Sequence, residues 1–307
     1  MPDEYNSSYT GAQIDNAVGK ALDPDTTPTA NSTNLVTSGG VKSALGFVPD
    51  TGNAGFHNSI YRGKSLGSSV TAAQWNVIDA GTFDDLYIGD YWTIPVTIGG
   101  VSRNIRWRIA GFDYWYDIGS GSGSSSVLDR LTHHVVIVPD QIIGEGTMNA
   151  TATTSGGYVG SDFYTGNNGN TWKSTITSII NSAFGSSHIK TAKRYFTNSV
   201  SSSGSANGQV EVDSAIDLMS DNMLVGHFYG SGSVYYEIGY DRTILPLFLL
   251  DIDKMHATHC DETGRATFWM RNVSSSASFA LFSYTGRFTG DPANSSFGFR
   301  PAFAIKG

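Results

Sequence analysis

Residues 266–307 read ATFWMRNVSSSASFALFSYTGRFTGDPANSSFGFRPAFAIKG, and they end in the clearest strand pattern of the chain. From Phe297 to Lys306, phenylalanine, proline and isoleucine fall on one face, whereas glycine, arginine, alanine and lysine fall on the other. This period of two predicts a β-strand. A second strand, FWMR, begins at Phe268, so a polar and aromatic stretch is held between two rigid strands.

The segment between these strands has the composition of a binding surface. Nine of the last forty-two residues are aromatic and five are charged, and most of the others are Ser, Ala, Gly or Asn. Tyr and Phe give large contact area at low entropic cost, while Ser, Gly and Asn form adaptable hydrogen bonds. We therefore predict a ligand-contact surface formed by Asn272, Ser274, Ser276, Ser278, Phe282, Tyr284, Arg287, Phe288, Asp291, Asn294 and Ser296.

The aromatic residues of this surface have two interpretations. Phe282, Tyr284 and Phe288 either anchor a ligand or fill the core. On a strand, Phe279 and Leu281 face one side whereas Phe282 and Tyr284 face the other, so one set is expected to be more exposed. We favour the ligand-anchor interpretation.

Composition limits the classes of partner. The net charge of −8 argues against nucleic acid, because phosphate binding needs a clustered basic face. The charged fraction of 15% is low and 36 glycines are many, which favours a rigid particle protein rich in strands and loops. The single cysteine, Cys260, excludes an internal disulfide. We expect neither a signal peptide nor membrane insertion, since no basic leader and no long apolar run occur.

Two domains are predicted along the chain, residues 1–56 and residues 57–307. In the first, Ile14, Val18, Ala21 and Leu22 form a narrow apolar stripe on a helix over residues 11–22. So short a helix is marginal alone, and its stripe is covered most simply by copies of itself in an oligomer. The alternative for this segment is a disordered leader.

The second domain mixes helices and strands. Thr71 and Gln74 form a capping box for a helix that ends by Gly81. A second helix is predicted over residues 171–184 and a weaker one over 213–224. Strands are predicted over residues 87–96, 105–113 and 131–138, and surface loops over 119–126 and 199–208.

Metal binding and catalysis find little support. His256, His259, Cys260 and Asp261 are candidate zinc ligands, but their spacing fits no known zinc pattern, and we favour an exposed loop. His133 and His134 lie at the beginning of a predicted buried strand and are expected to be structural. We predict no cofactor, no obligatory metal and no enzymatic activity. The acid pairs Asp84–Asp85 and Asp251–Asp253 keep glycoside hydrolysis open as an alternative.

Two sets of motifs resemble known families. The leader motifs YTGAQIDNAVGKAL, TPTANSTNLVTSGGVKSALGF and LGFVP resemble attachment and trimerisation segments of phage tail fibres. The motifs IYRGKSLGS, GTFDDLYIGDYW, GGYVGSDFY, AFGSSHI, LMSDNMLVG, LPLFLLD, FWMRNV and GFRPAFAI follow in order through residues 57–307. Together they resemble C-type-lectin-fold ligand-binding domains of phage tail tips, including the variable proteins of diversity-generating retroelements.

This resemblance implies a fold, a partner and a location. The expected class is α+β, a C-type-lectin-like domain preceded by a short helical segment for oligomerisation and attachment. The implied function is a phage receptor-binding protein, a homotrimer at a tail-fibre tip or baseplate periphery, assembled in the host cytoplasm. Its partners are a host cell-surface protein or glycan and, through the leader, other tail or baseplate proteins. The resemblance makes Arg300 structural. A tail-spike polysaccharide depolymerase and a retroelement-diversified cellular display protein are the alternatives.

Overall fold

The structure, a computed structural model, describes residues 9–22, 54–119, 130–226, 240–241, 243–250, 259–261 and 264–307, with only the backbone for 21–22 and 259–261. The helices are α1 (Gly11–Leu22), α2 (Ala54–His57), α3 (Ala72–Asp79), α4 (Asp162–Thr165), α5 (Trp172–Phe184), α6 (Asp221–Val225) and α7 (Pro246–Leu250). The strands are β1 (Ser65–Gly67), β2 (Tyr91–Ile98), β3 (Val101–Phe112), β4 (Val135–Pro139), β5 (Gly144–Gly146), β6 (Ala192–Val200), β7 (Ala206–Ser214), β8 (Ile216–Leu218), β9 (His259–Asp261), β10 (Gly264–Arg265), β11 (Phe268–Val273), β12 (Ser278–Phe282), β13 (Phe288–Pro292), β14 (Phe297–Phe299) and β15 (Pro301–Ile305).

The chain divides into two units, Met1–Asp50 and Thr51–Gly307. In the first unit, the predicted helix over residues 11–22 is confirmed as α1. Thr10 and Gln13 bond reciprocally at its start, where the backbone N–H of Thr10 donates to Oε1 of Gln13 at 2.8 Å. Ile14 and Val18, two members of the stripe predicted for oligomerisation, are 43% and 48% exposed. The side chains of the other two, Ala21 and Leu22, are not among those that the structure describes.

The second unit is built on two sheets that share one chain segment. The larger has six strands in the order β1-β2-β3-β4-β15-β8, and the smaller has five in the order β13-β12-β11-β14-β5. β14 pairs with β5 and β11, and β15, which follows after Arg300, pairs with β4 and β8. The predicted strand over residues 297–306 is therefore two strands in two sheets.

The alternation of large and small residues along this segment does not separate a buried face from an exposed one. Ala302 and Ala304 are as buried as Phe303 and Ile305, because β15 is central in its sheet and both of its faces are covered. Arg300 lies at the junction with no exposed surface, and its Nε donates to the carbonyl oxygen of Pro139 at 2.7 Å. The structural role expected for Arg300 agrees with this placement.

Local signals predict their elements well. The capping box of α3 has both bonds: the backbone N–H of Gln74 donates to Oγ1 of Thr71 at 3.2 Å, and that of Thr71 donates to Oε1 of Gln74 at 2.9 Å. The predicted helix over 171–184 is confirmed as α5, which buries Ile176, Ile180 and Phe184. The mixed α+β class is confirmed.

The predicted helix over residues 213–224 is wrong. These residues form the end of β7, the strand β8 and the first turn of α6. Pairing of β7 with β6 and of β8 with β15 overrides the weak helical pattern. The predicted loop over 199–208 is partly strand, because Ser199 pairs with Gly208 and Val200 with Ala206 in the same hairpin. The loop over 119–126 lies outside the described residues except for Gly119.

Three predicted strands are confirmed with shifted bounds. β2 begins at Tyr91 rather than at residue 87, because Gly89 has a positive φ of 84° and turns the chain. β4 begins at Val135, after a turn at Leu131 whose φ is 57°.

No helix of the described residues has the length and apolar character needed to cross a membrane.

Candidate functional site

The candidate site, here called the C-terminal surface, consists of the exposed residues on β13 and on three loops around it, residues 274–277, 283–287 and 293–296. β11, β12 and β13 form an antiparallel meander, with Phe282 opposite Phe288 where β12 and β13 meet their hairpin. Across that hairpin the backbone N–H of Ser283 donates to the carbonyl of Arg287 at 2.8 Å. The frame therefore fixes each loop at both ends.

Tyr284 occupies the tip of this hairpin. Its side chain is 58% exposed, and its backbone N–H donates to Oγ1 of Thr267 at 3.1 Å. Gly286 has a positive φ of 81°, which completes the turn, and the side chains of Arg287 and Thr285 are exposed beside it. An anchored backbone with a free phenol ring presents a large contact area at little entropic cost.

The other two predicted anchors lie deeper. Phe282 is 2% exposed and packs edge-on against Phe288 at 5.0 Å between ring centroids. Phe268 contacts the same ring at 5.7 Å, so Phe282 belongs to the core. Phe288 is half-buried. Of the two sets of residues compared, the set with Phe282 and Tyr284 is the more exposed, but only through Tyr284, because Phe279, Leu281 and Phe282 are all buried.

Asn272 is also buried and does not face solvent. Its Oδ1 accepts a hydrogen bond from the backbone N–H of Asp221 at 3.0 Å, at the first residue of α6. An amide that satisfies a buried helix terminus serves the fold. Of the predicted contact residues, Asn272 and Phe282 are therefore removed from the C-terminal surface.

The loop at residues 274–277 is held from a distant part of the chain. The backbone N–H of Thr154 donates to the carbonyl of Ser276 at 3.0 Å, and its Oγ1 donates to that of Ser275 at 2.8 Å. Ser276 is exposed, whereas Ser274 and Ser278 are half-buried. Both backbone bonds leave the side chain of Ser276 free to face a partner.

The loop at residues 293–296 is fixed in the same way. Ala293 is buried, and its carbonyl accepts from the backbone N–H groups of Met148 and Asn149, each at 2.9 Å. Asn294 and Ser296 are exposed on either side of Ser295, whose hydroxyl donates to the half-buried carboxylate of Asp291. The exposed side chains therefore rest on an ordered backbone.

The structure adds residues that the sequence analysis missed. Thr285 and Thr289 are exposed within the surface, and Thr289 follows from the alternation of β13, in which Phe288 points inward. Exposed Ser155 also approaches the site, because its neighbour Thr154 bonds the loop at Ser276. No local signal links residues 121 positions apart, so Ser155 was not predictable.

A buried charge network supports β11 from behind. The carboxylate of Asp241 accepts from Nε1 of Trp115 at 2.8 Å, bonds the guanidinium of Arg271, and lies 3.5 Å from Nη1 of Arg194. Burial by itself raises the pKa of Asp241, but Arg271 and Arg194 outweigh it and the net shift is downward. A charged Asp241 therefore ties β6 and β11 together.

The surface has the chemistry of binding rather than of proton transfer. Its exposed groups are hydroxyls, the side-chain amide of Asn294, one phenol and the guanidinium of Arg287. Asp85, of the candidate acid pair Asp84–Asp85, bonds Lys64 at 2.8 Å and Arg62, and these bonds lower its pKa. A general acid needs the opposite shift. Asp251 and Asp253 lie outside the described residues.

The candidate metal ligands are only partly described. His256 lies outside the described residues, and for His259, Cys260 and Asp261 only the backbone of β9 is described. In the part of the chain with described side chains, no group of three or more His, Cys, Asp or Glu residues is placed to hold a metal ion. The described residues therefore do not test the candidate zinc site.

The chain was compared with models of known protein families, with curated proteins and with solved structures. No match was found in any of the three comparisons. What the chain binds must therefore be inferred from its own residues and their geometry.

Proposed function

We propose that this chain is a phage receptor-binding protein, whose second unit binds a host surface molecule through the C-terminal surface. The observation that carries the proposal is Tyr284, a 58% exposed aromatic residue on a hairpin tip whose backbone is fixed by Thr267. Arg287 is exposed on the same hairpin, whereas Ser276 and Asn294 are exposed in the two loops at the other end of β12 and β13. Tyr and Arg are among the residue types that dominate binding energy at interfaces.

We further propose that the second unit is a C-type-lectin-like domain. The ordered succession of motifs supports this, as does the junction at Arg300, where one segment passes from the small sheet to the large one. A domain of this kind displays its binding residues near the C-terminus on a fixed scaffold. Ser276, Tyr284 and Asn294 are exposed, so substitutions there are expected to cost little stability, which is the property that a diversified surface requires.

The first unit would join several such domains on one particle. Ile14 and Val18 of α1 are exposed members of the predicted apolar stripe, and copies of the same helix are the partner that we propose for it, in a homotrimer. Three weak sites on one particle bind a repetitive cell surface more tightly than one site, without any new contact.

The binding role is tested with a Tyr284→Ala/Arg287→Ala double variant. Both side chains are exposed, so the fold is retained, and binding of labelled protein to intact candidate host cells is expected to fall about tenfold or more. Flow cytometry measures the loss. A Tyr61→Ala/Arg130→Ala variant removes the same residue types from exposed positions elsewhere and is expected to bind like the wild type. Equal binding by the two variants would contradict the proposal.

The oligomer is tested with an Ile14→Asp/Val18→Asp variant. Sedimentation velocity is expected to give the wild type three times the 32.8 kDa mass of one chain, and the variant the mass of one chain. Two buried carboxylates cannot be accommodated in an apolar helix interface. A variant that keeps the mass of the wild type would place the oligomer contact outside α1.

A further inference from the structure

A groove of about 920 Å³ lies at the opposite edge of the five-stranded sheet from β13. It is bounded by the turn between β2 and β3, by β5 and by the first residue of α5. The polar and aromatic side chains of its lining include Arg103, Asn104, Gln141, Glu145 and Trp172, and its apolar lining includes Ile98, Ile105 and Ile142. A groove with an apolar floor and a few polar groups is the usual form of a small-molecule site.

Trp172 is laid flat on β5 by two glycines. A Cβ at Gly144 would lie 2.1 Å from Cζ3 of the indole, and one at Gly146 would lie 2.3 Å from its Nε1. Any other residue at either position would displace the ring. Phe299 supports the indole from behind, with ring centroids 5.6 Å apart. The half-buried ring is therefore fixed in position as a wall of the groove.

The same indole also borders a second depression. This smaller cavity, of about 390 Å³, is lined by Asn168, Asn170 and Thr171 as well as by Trp172. A rigid aromatic ring between two depressions, with amides and a hydroxyl on both sides, suits a ligand made of two or more linked building blocks. Each building block would need an apolar face to contact the indole and polar edges to contact the walls.

The polar groups of the groove are available for a ligand. Oε1 of Gln141 accepts from the backbone N–H of Arg106 at 3.0 Å, which orients the amide. Among the described residues, the Nε2 of Gln141, the side-chain amide of Asn104 and the indole N–H of Trp172 have no hydrogen-bond partner. Within the same residues, Arg103 and Glu145 form no ion pair. Neutral and charged hydrogen-bonding groups, donors as well as acceptors, therefore line the same groove.

We propose that this groove binds a neutral oligosaccharide, at a site separate from the C-terminal surface. A pyranose ring offers an apolar C–H face to the indole, and its neighbouring hydroxyls match the amides, guanidinium and carboxylate of the walls. One positive and one negative side chain cancel, so no net charge selects a polyanion. Four inter-strand spacings of about 4.8 Å separate the edge strands β5 and β13, about 19 Å in all. The two sites therefore act independently.

The proposal is tested by saturation-transfer NMR and titration with a panel of probes. The panel holds neutral trisaccharides of hexoses and N-acetylhexosamines, together with sialylated and sulfated counterparts. We expect the wild type to bind at least one neutral probe with a dissociation constant of about 1 mM or below, and to prefer it to the matched anionic probe. No binding of any neutral probe, or a preference for the anionic ones, would overturn the proposal.

Two variants locate the site. Trp172→Ala is expected to weaken binding at least tenfold, and Asn104→Ala/Glu145→Ala is expected to do the same at exposed positions where folding is not at risk. Unchanged affinity of the folded Asn104→Ala/Glu145→Ala protein would overturn the assignment. The Tyr284→Ala/Arg287→Ala protein is expected to bind the probe like the wild type. Failure of receptor binding and failure of saccharide binding are thereby distinguished.

Discussion

Replacement of Asp241 by asparagine is expected to lower the free energy of unfolding by about 3–5 kcal/mol, because it leaves buried cations without their counter-charge. Arg194 and Arg271 are 3% exposed each, and both face this carboxylate. Asparagine retains an oxygen for Nε1 of Trp115 but carries no charge. Asp217 also lies in this region, but it is already paired with Lys173 at 2.9 Å.

The measurement is urea unfolding of the wild type and of Asp241→Asn at pH 7. Asp117→Asn is the matched control, since it makes the same chemical change in the exposed pair with Arg130. That control is expected to change the free energy of unfolding by less than about 1 kcal/mol. A loss at Asp241 as small as that of the control would show that the network does not stabilise the fold.

The sequence predicts those elements whose causes are local. Thr71 and Gln74 are three residues apart, and their reciprocal bonds are formed as the motif predicts. The apolar stripe of α5 likewise lies within one helix and faces the core. In each case the residues that decide the structure are neighbours in the chain.

The sequence predictions fail where pairing between distant segments of the chain decides the structure. An alternating pattern at residues 297–306 predicts a strand, but it does not reveal that the chain changes sheets at Arg300 or that both faces of β15 are covered. Residues 213–218 form strands because β6 and β15 offer partners, which no local pattern records.

Within the predicted surface, the sequence does not separate exposed side chains from buried ones. Polar side chains are ambiguous signals, because Asn272 serves a buried helix end whereas Asn294 faces solvent. Aromatic side chains are equally ambiguous, because Phe282 fills the core and Tyr284 stands on the tip of the same hairpin. The groove at Trp172 joins three separate segments and has no sequence signature at all.

His134 underlies the second large prediction, a loss of stability in mild acid. The imidazole is fully buried; Nδ1 lies 2.9 Å from the carbonyl of Thr132, and Nε2 accepts from the backbone N–H of Trp115 at 3.0 Å. These contacts assign a neutral ring with its proton on Nδ1. Burial lowers the pKa of His134 to about 3, and the nearby charges of Lys190 and Arg194 act in the same direction.

Asp113 lies close to His134 but does not stabilise its protonated ring enough to keep the pKa of His134 from falling. Its carboxylate lies 3.6 Å from Nδ1 of His134, yet it is bonded by the ring of His133 at 2.7 Å and by the backbone N–H of His134 at 2.9 Å. Burial raises the pKa of Asp113, so this group contributes pH dependence of the opposite sign. That contribution is common to wild type and variants, and it cancels when they are compared.

The sign of the His134 effect follows from where the proton binds. Below pH 6.5 this histidine is protonated in the unfolded chain, whereas in the folded chain it stays neutral down to about pH 3. The free energy of unfolding therefore decreases as the pH is lowered between these two values. The slope is about 1.4 kcal/mol per pH unit, or about 2.5–3 kcal/mol between pH 7 and pH 4.5. His134→Gln has no such proton to bind, and it is expected to lose that much less than the wild type over the same interval, each protein being referred to its own value at pH 7. Urea unfolding at the two pH values measures the difference, and equal losses would mean that the buried ring is protonated in the folded protein as readily as in the unfolded chain.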